Sequence, residues 1–233
     1  MGLKQVKDEA ATGRARVRRA RRARSPGRPA ATDRSVGADA IVLKACELLR
    51  DGAPRELSLV KLARHAGVDR SLIRYYFKDR HGLLLAAARH LFGVMTGRLD
   101  AVSTQLSSDP VRRIREMAVA LLNFQVEHPY FHRLMIDEVV HSPRAEARGF
   151  FRTFTAQGVE SFREMAAATA RRGVTRPHEG VFLYLAIIGI CEFFVTGGPI
   201  LKVAFGENYD AADINQQFAR FLREYVIDGI RRS

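Results

Sequence analysis

The sequence predicts an all-α protein: a disordered basic N-terminal arm, a helix-turn-helix domain, then a larger helical bundle, with about nine helices in total. Three observations carry that expectation. From Ala38 onward the apolar residues recur at helical spacing, and no stretch alternates convincingly with period two. Pro and Gly punctuate the periodic stretches where helices would end. The net charge of +13 is also unevenly spread. Residues 1–37 carry eleven Lys/Arg against three Asp/Glu, residues 38–92 ten against six, and residues 93–233 seventeen against sixteen. Three segments are therefore expected, at 1–37, 38–92 and 93–233.

The first segment has no aromatic residue and almost no large aliphatic one, so it cannot bury enough surface to offset its ordering entropy. Within it, Arg24-Ser25-Pro26-Gly27-Arg28-Pro29 contains a Gly-Arg-Pro that resembles the centre of an AT-hook, which would put Arg28 in an A·T-rich minor groove. Pro26 stands where that motif has an arginine, so the match is partial. A solvated tail that adds only nonspecific phosphate affinity is the competing reading.

The second segment carries three apolar stripes at i, i+3/i+4, i+7: Ile41, Ala45, Leu48 and Leu49; then Leu59, Leu62, Ala63 and Ala66; then Leu83, Leu84, Ala87, Leu91 and Val94. Gly52 to Pro54 ends the first helix. Ser58 is placed to cap the second, and Gly67 to let the chain leave it. Val68 fills the corner and Asp69 caps a third helix in which Ile73 and Phe77 face inward. Arg70, Ser71, Arg74 and Tyr75 are left toward solvent. This is the layout of a helix-turn-helix whose second helix enters the major groove.

These residues also carry a family resemblance. Leu62-Ala63-x-x-Ala66-Gly67-Val68, followed by Leu72-Ile73-Arg74-Tyr75-Tyr76-Phe77-x-x-Arg80-x-x-Leu83-Leu84, resembles the DNA-binding domain of TetR-type bacterial transcriptional regulators. The resemblance implies a dimer that binds a double-stranded DNA operator, with three N-terminal helices on the DNA and a variable C-terminal bundle holding a small-molecule effector. On it, the DNA-contacting set is Ser58, Lys61, Arg70, Ser71, Leu72, Arg74, Tyr75, Tyr76 and Arg80, with Arg28 added by the arm. Arg74 stands where many members have Tyr and is open to a guanine edge or a phosphate. Arg80 replaces the common Lys and keeps the charge that the family places on a backbone phosphate. Of Tyr75 and Tyr76, one is expected on phosphate and the other packed between helices. Surface ion pairs with Asp69, Asp79 or Glu56 are the competing use of the arginines.

The third segment is nearly neutral and rich in Phe, most of which is expected in the core. Breaks at Asp109-Pro110, His128-Pro129, Ser142-Pro143, Gly173, Arg176-Pro177 and Gly197-Gly198-Pro199 divide it. Candidate lining residues for a ligand cavity are Phe124, His128, Met135, Phe154, Gln157, Tyr184, Ile188 and Cys191. Two histidines and two carboxylates between His128 and Glu138 invite a metal reading. Pro129, however, splits His128 from His132 into separate helices, so no metal site and no cofactor is expected. The same His-Pro-aromatic break resembles the junction of the fifth and sixth helices in many TetR-type proteins. Glu192, in an apolar helix, is open to a solvent edge or to a buried contact with effector or partner. The wide apolar face of residues 214–230 (Phe218, Phe221, Leu222, Tyr225, Val226) suits the family's dimer interface between the last two long helices.

Cys46 and Cys191 lie in apolar helical contexts, which favours two buried thiols in a reducing compartment over a disulfide. No secretory signal is legible, and the longest apolar run, residues 181–195, is broken by Gly189 and Glu192. A cytoplasmic, membrane-free protein is expected. No Walker loop, zinc spacing, nucleophile elbow or dinucleotide turn is present, so an enzyme is not expected. The expected function is a sequence-specific, ligand-responsive repressor on a palindromic operator. The alternative is a basic architectural DNA-binding protein with no effector.

Overall fold

The computed structural model describes residues 37–177 and 180–230; the basic arm with Arg28 lies outside the described residues. Ten α-helices form among them, one more than expected, and no strand. Helices α1 (Ala38–Asp51), α2 (Leu59–Ala66) and α3 (Arg70–Phe77) make the N-terminal unit. Ile41, Ala45, Leu62 and Ile73 meet in its centre with no exposed surface. The predicted caps form: the Ser58 hydroxyl accepts from the Lys61 N–H at 3.1 Å, and Asp69 Oδ1 accepts from the Ser71 N–H at 2.7 Å. Gly67 sits at φ 66°, in the left-handed region that glycine enters without strain.

Helix α4 (Arg80–Gln105) runs from this unit into the larger bundle. Its entry is tight. The Asp79 N–H bonds to the Phe77 carbonyl at 2.8 Å across Lys78, whose φ of 67° and ψ of −57° make a strained γ-turn. A Cβ on Gly82 would come within 2.1 Å of the Phe77 oxygen, so only glycine allows this approach. Asp79 closes the turn by accepting from the Gly82 N–H at 2.8 Å.

The larger bundle holds α5 (Pro110–Glu127), α6 (Phe131–Met135) with a π-helical turn at Ile136–Val140, α7 (Ala145–Arg171), α8 (Gly180–Thr196), α9 (Gly198–Phe205) and α10 (Ala211–Asp228). Helix α5 is the central post, packed on α4, α7, α8 and α10. Its contact with α10 is fixed by a two-bond pair, Arg223 Nε to Glu116 Oε1 at 2.9 Å and Arg223 Nη2 to Glu116 Oε2 at 3.1 Å. Phe194 of α8 stacks on Phe218 of α10 at 3.9 Å. Cys46 and Cys191 are buried and unpaired, and burial pushes both thiols up to about 12. No single described helix is long and apolar enough to cross a membrane.

The aromatic residues divide more evenly than expected. Phe124 and Phe162 are core, yet Phe182, Phe193 and Phe221 stand more than half exposed, and Val203 of α9 is 85% exposed. On α10 the apolar face is split: Ile214, Leu222 and Val226 point inward while Phe221 and Tyr225 stack on each other outside.

Candidate nucleic-acid interface and ligand cavity

Eight residues of α3 sort into two faces. Leu72 and Ile73 are buried, and Phe77 is half-buried behind them. Arg70, Ser71, Arg74 and Tyr75 are exposed together, and Tyr75 is 71% exposed. Tyr76 leans edge-on against Tyr75 at 5.3 Å and remains 40% exposed, so neither ring is sequestered between helices. Neither Arg70 nor Arg74 forms an ion pair among the described residues. Of the acids that might have held them, Asp69 is occupied by the hydroxyl and backbone N–H of Ser71, which hold its carboxyl below the usual range. Asp79 is occupied by Arg144 at 2.5 Å. Ser58 and Lys61 flank this face, exposed, at the start of α2.

Two members of the expected DNA-contacting set are corrected. Leu72, 2% exposed, belongs to the core, because a helix this short must bury two adjacent positions to hold against both α1 and α4. Arg80 is turned inward: its Nε donates to the Leu57 carbonyl at 2.8 Å, Nη2 to the Pro54 carbonyl at 2.6 Å and Nη1 to Glu138 Oε1 at 3.0 Å. A guanidinium committed to these partners is a structural tie rather than a phosphate clamp.

Glu138 is the residue that sequence reasoning missed. It lies on the π-helical turn after α6, its side chain 11% exposed, and its second oxygen meets His81 Nδ1 at 2.7 Å. His81 Nε2 in turn meets the Ser142 hydroxyl at 3.0 Å. With Asp79–Arg144 alongside, these contacts join the start of α4, next to α3, to the segment between α6 and α7. The signal in sequence was the acid-rich run after Met135; its partners lie 57 and 58 residues away.

A cavity of about 610 Å³ opens between α4, α5, α6, α7 and α8. Met135, Phe154, Gln157, Tyr184 and Ile188 line it as expected. Phe124, His128 and Cys191 do not and are corrected to core positions. Phe124 turns away from the cavity, its ring edge-on to Phe131 at 5.0 Å and 4.8 Å from the His128 ring. His128 caps α5, where burial first, and the nearby Arg50 charge second, lower its pKa and keep it neutral. The Cys191 thiol points at the Ala118 carbonyl, 3.8 Å away. The α5 face that does line the cavity is Met117, Leu121 and Gln125, an i, i+4, i+8 series one position from Phe124. His132 pairs with Glu192 at 3.0 Å, so Glu192 bridges α8 to α6, half-buried.

A family model described as tetracycline-repressor-like, C-terminal domain, matches residues 110–226. The chain belongs to the TetR family. Among curated relatives, the transcriptional repressor NicS of Pseudomonas putida is 21% identical over 69% of this chain and 76% of its own length. The regulator EthR of Mycolicibacterium smegmatis is 26% identical over 65% of this chain and 68% of its own. A TetR/AcrR-family regulator from Thermobifida fusca shares the fold, with a TM-score of 0.63 at 17% identity, covering 84% of this chain and 98% of that one. The KstR2 ketosteroid regulator of Mycobacterium tuberculosis also has a TM-score of 0.63, at 15% identity, covering 84% and 95%. As a member of the TetR family the chain is a DNA-binding transcriptional regulator. Members of the family bind DNA operators as dimers and respond to small-molecule effectors.

Proposed function

We propose that this TetR-family repressor binds a palindromic operator as a homodimer paired through α8 and α10, in the cytoplasm, and releases it when a small molecule fills the cavity beside α5. The observation that carries the reading is the exposed set Arg70, Ser71, Arg74 and Tyr75 on one face of α3, with both arginines outside any ion pair among the described residues. Arg70 and Arg74 are assigned to base edges, and Ser58, Lys61, Tyr75 and Tyr76 to phosphates. Residues 1–37 act as a basic arm, with Arg28 at its Gly-Arg-Pro, adding phosphate affinity to the reading domain of residues 38–92. Residues 93–233 sense the effector and dimerise.

The dimer assignment is supported by the outer faces of α8 and α10. Phe182, Ala186, Gly189 and Phe193 are exposed along one side of α8, two small residues between two large ones, which admits close approach of a second helix. Phe221 and Tyr225 continue the apolar surface on α10. Pairing there would set two α3 helices about 34–36 Å apart, or a multiple of it, along the duplex. Effector coupling is assigned to α4, which borders the cavity at Phe92, Met95 and Leu99 and is tied to Glu138 at its other end. An effector shifts the DNA-binding equilibrium only by its preference for one arrangement of that helix.

Selection of bound duplexes from random sequence by the full chain tests the reading. The expected result is an inverted repeat whose footprint survives deletion of residues 1–36. Sequence-independent binding that disappears with the arm would instead identify an architectural protein.

A further inference from the structure

We infer that the cavity takes a neutral, largely apolar ring compound that presents a carbonyl or hydroxyl group to the amide of Gln125; this rests on the reading of the cavity as the effector site. Gln125 lies on the α5 wall, 8% exposed, and its amide has no hydrogen-bond partner among the described residues. Buried polar groups are almost always paired, so an amide left open onto a cavity marks where a ligand's polar group sits. As both donor and acceptor, Gln125 suits a neutral partner. Tyr184 lines the same space from α8, and its hydroxyl is also without a partner among the described residues.

Charge excludes the anionic ligands. No Lys or Arg lines the cavity among the described residues. His132 is already engaged by Glu192, and the one carboxylate among the described lining residues, Asp100, is exposed. A carboxylate or phosphate in the cavity would share the wall with Asp100 and lose its hydration with no cation to replace it. A cation finds no buried acid inside. The rest of the wall is apolar, Met117, Leu121, Met135 and Phe162 among it. Two edge-to-face aromatic pairs add flat surfaces, Phe92–Phe154 at 4.6 Å and Phe162–Tyr184 at 5.6 Å. A volume of about 610 Å³ is ample for a ring system of two or more rings.

The test uses a matched pair of probes on the full-length dimer, 4-acetylbiphenyl and biphenyl-4-carboxylate, read by displacement of the neutral fluorophore N-phenyl-1-naphthylamine. The ketone is expected to bind at least about tenfold more tightly than the carboxylate. Gln125→Leu should weaken the ketone about tenfold while leaving the fluorophore within about twofold, and Gln125→Met, closer in shape, should reproduce the loss. Equal or tighter binding of the carboxylate, or a ketone affinity indifferent to both substitutions, would overturn the ligand class while leaving the cavity as effector site. Failure of all three compounds to bind would overturn the effector-site reading and this inference with it.

Discussion

Replacing Glu138 by alanine should loosen the joint between the N-terminal unit and the larger bundle. The carboxylate makes two contacts, one to Arg80 at 3.0 Å and one to His81 at 2.7 Å, with its own side chain 11% exposed. Charge-assisted hydrogen bonds contribute roughly 1.5–3 kcal/mol each when sheltered. The Arg80 contact is discounted to about 1 kcal/mol, because that side chain is 37% exposed and keeps its bonds to the Leu57 and Pro54 carbonyls. The His81 contact is better sheltered and contributes about 1.5 kcal/mol. A loss of about 2.5 kcal/mol lowers the melting temperature of a chain this size by about 5–10 °C. The assay is calorimetry of the whole chain of residues 1–233 at one fixed protein concentration, with amide exchange at the start of α4 as a local readout. Glu138→Gln retains the shape and should lose less than half as much. The neighbouring Asp137, in an exposed i, i+4 pair with Arg133, is the internal control and should shift the melt by no more than about 1–2 °C as alanine. A Glu138→Ala melt within that same margin would refute the joint.

Two further outcomes follow from the geometry. His128 is held neutral by burial, so its folded pKa lies below the ordinary 6.5 while the unfolded chain takes up a proton near 6.5. Its contribution is fully present above pH 6.5 and is lost as pH falls through the lowered folded value. Melting temperature should therefore decline from pH 7 to 5 less steeply in His128→Gln than in the parent, and equal slopes would remove His128 as a cause. Phe221→Asp places a charge on the exposed apolar surface of α10 without touching Leu222 or Val226; sedimentation should show monomers with the helical signal retained, and an intact dimer would move the interface elsewhere.

Local rules read the N-terminal unit well, because its signals are local. Ser58, Gly67 and Asp69 are each read from a few neighbours, and the structure uses all three as caps or turn. Leu72 was misread for lack of tertiary information: on an eight-residue helix the inner face can be one or two positions wide, and packing against both α1 and α4 decides which. Arg80 depends on a partner 58 residues away, which no local pattern reveals. In the bundle the limit is angular. Phe124 and Gln125 are adjacent, about 100° apart on α5, and the cavity selects the second. Aromatic content and local apolarity could not separate core from surface, since Phe162, among Glu160, Arg163 and Glu164, is core while Phe182, in a nearly all-apolar run, is exposed; the neighbouring helices decide.

Whether the open face of α3 reads the operator is decided by the affinity of Arg74→Ala for the selected operator. Fluorescence anisotropy at fixed salt, on the operator and on scrambled DNA of the same length, separates base reading from phosphate attraction. Loss of a base contact corresponds to about 1–3 kcal/mol, or roughly 5- to 150-fold weaker operator binding, with scrambled-DNA affinity nearly unchanged and the dimer intact. Operator affinity indistinguishable from the parent, in this variant and in Arg70→Ala alike, would mean that α3 does not read the bases.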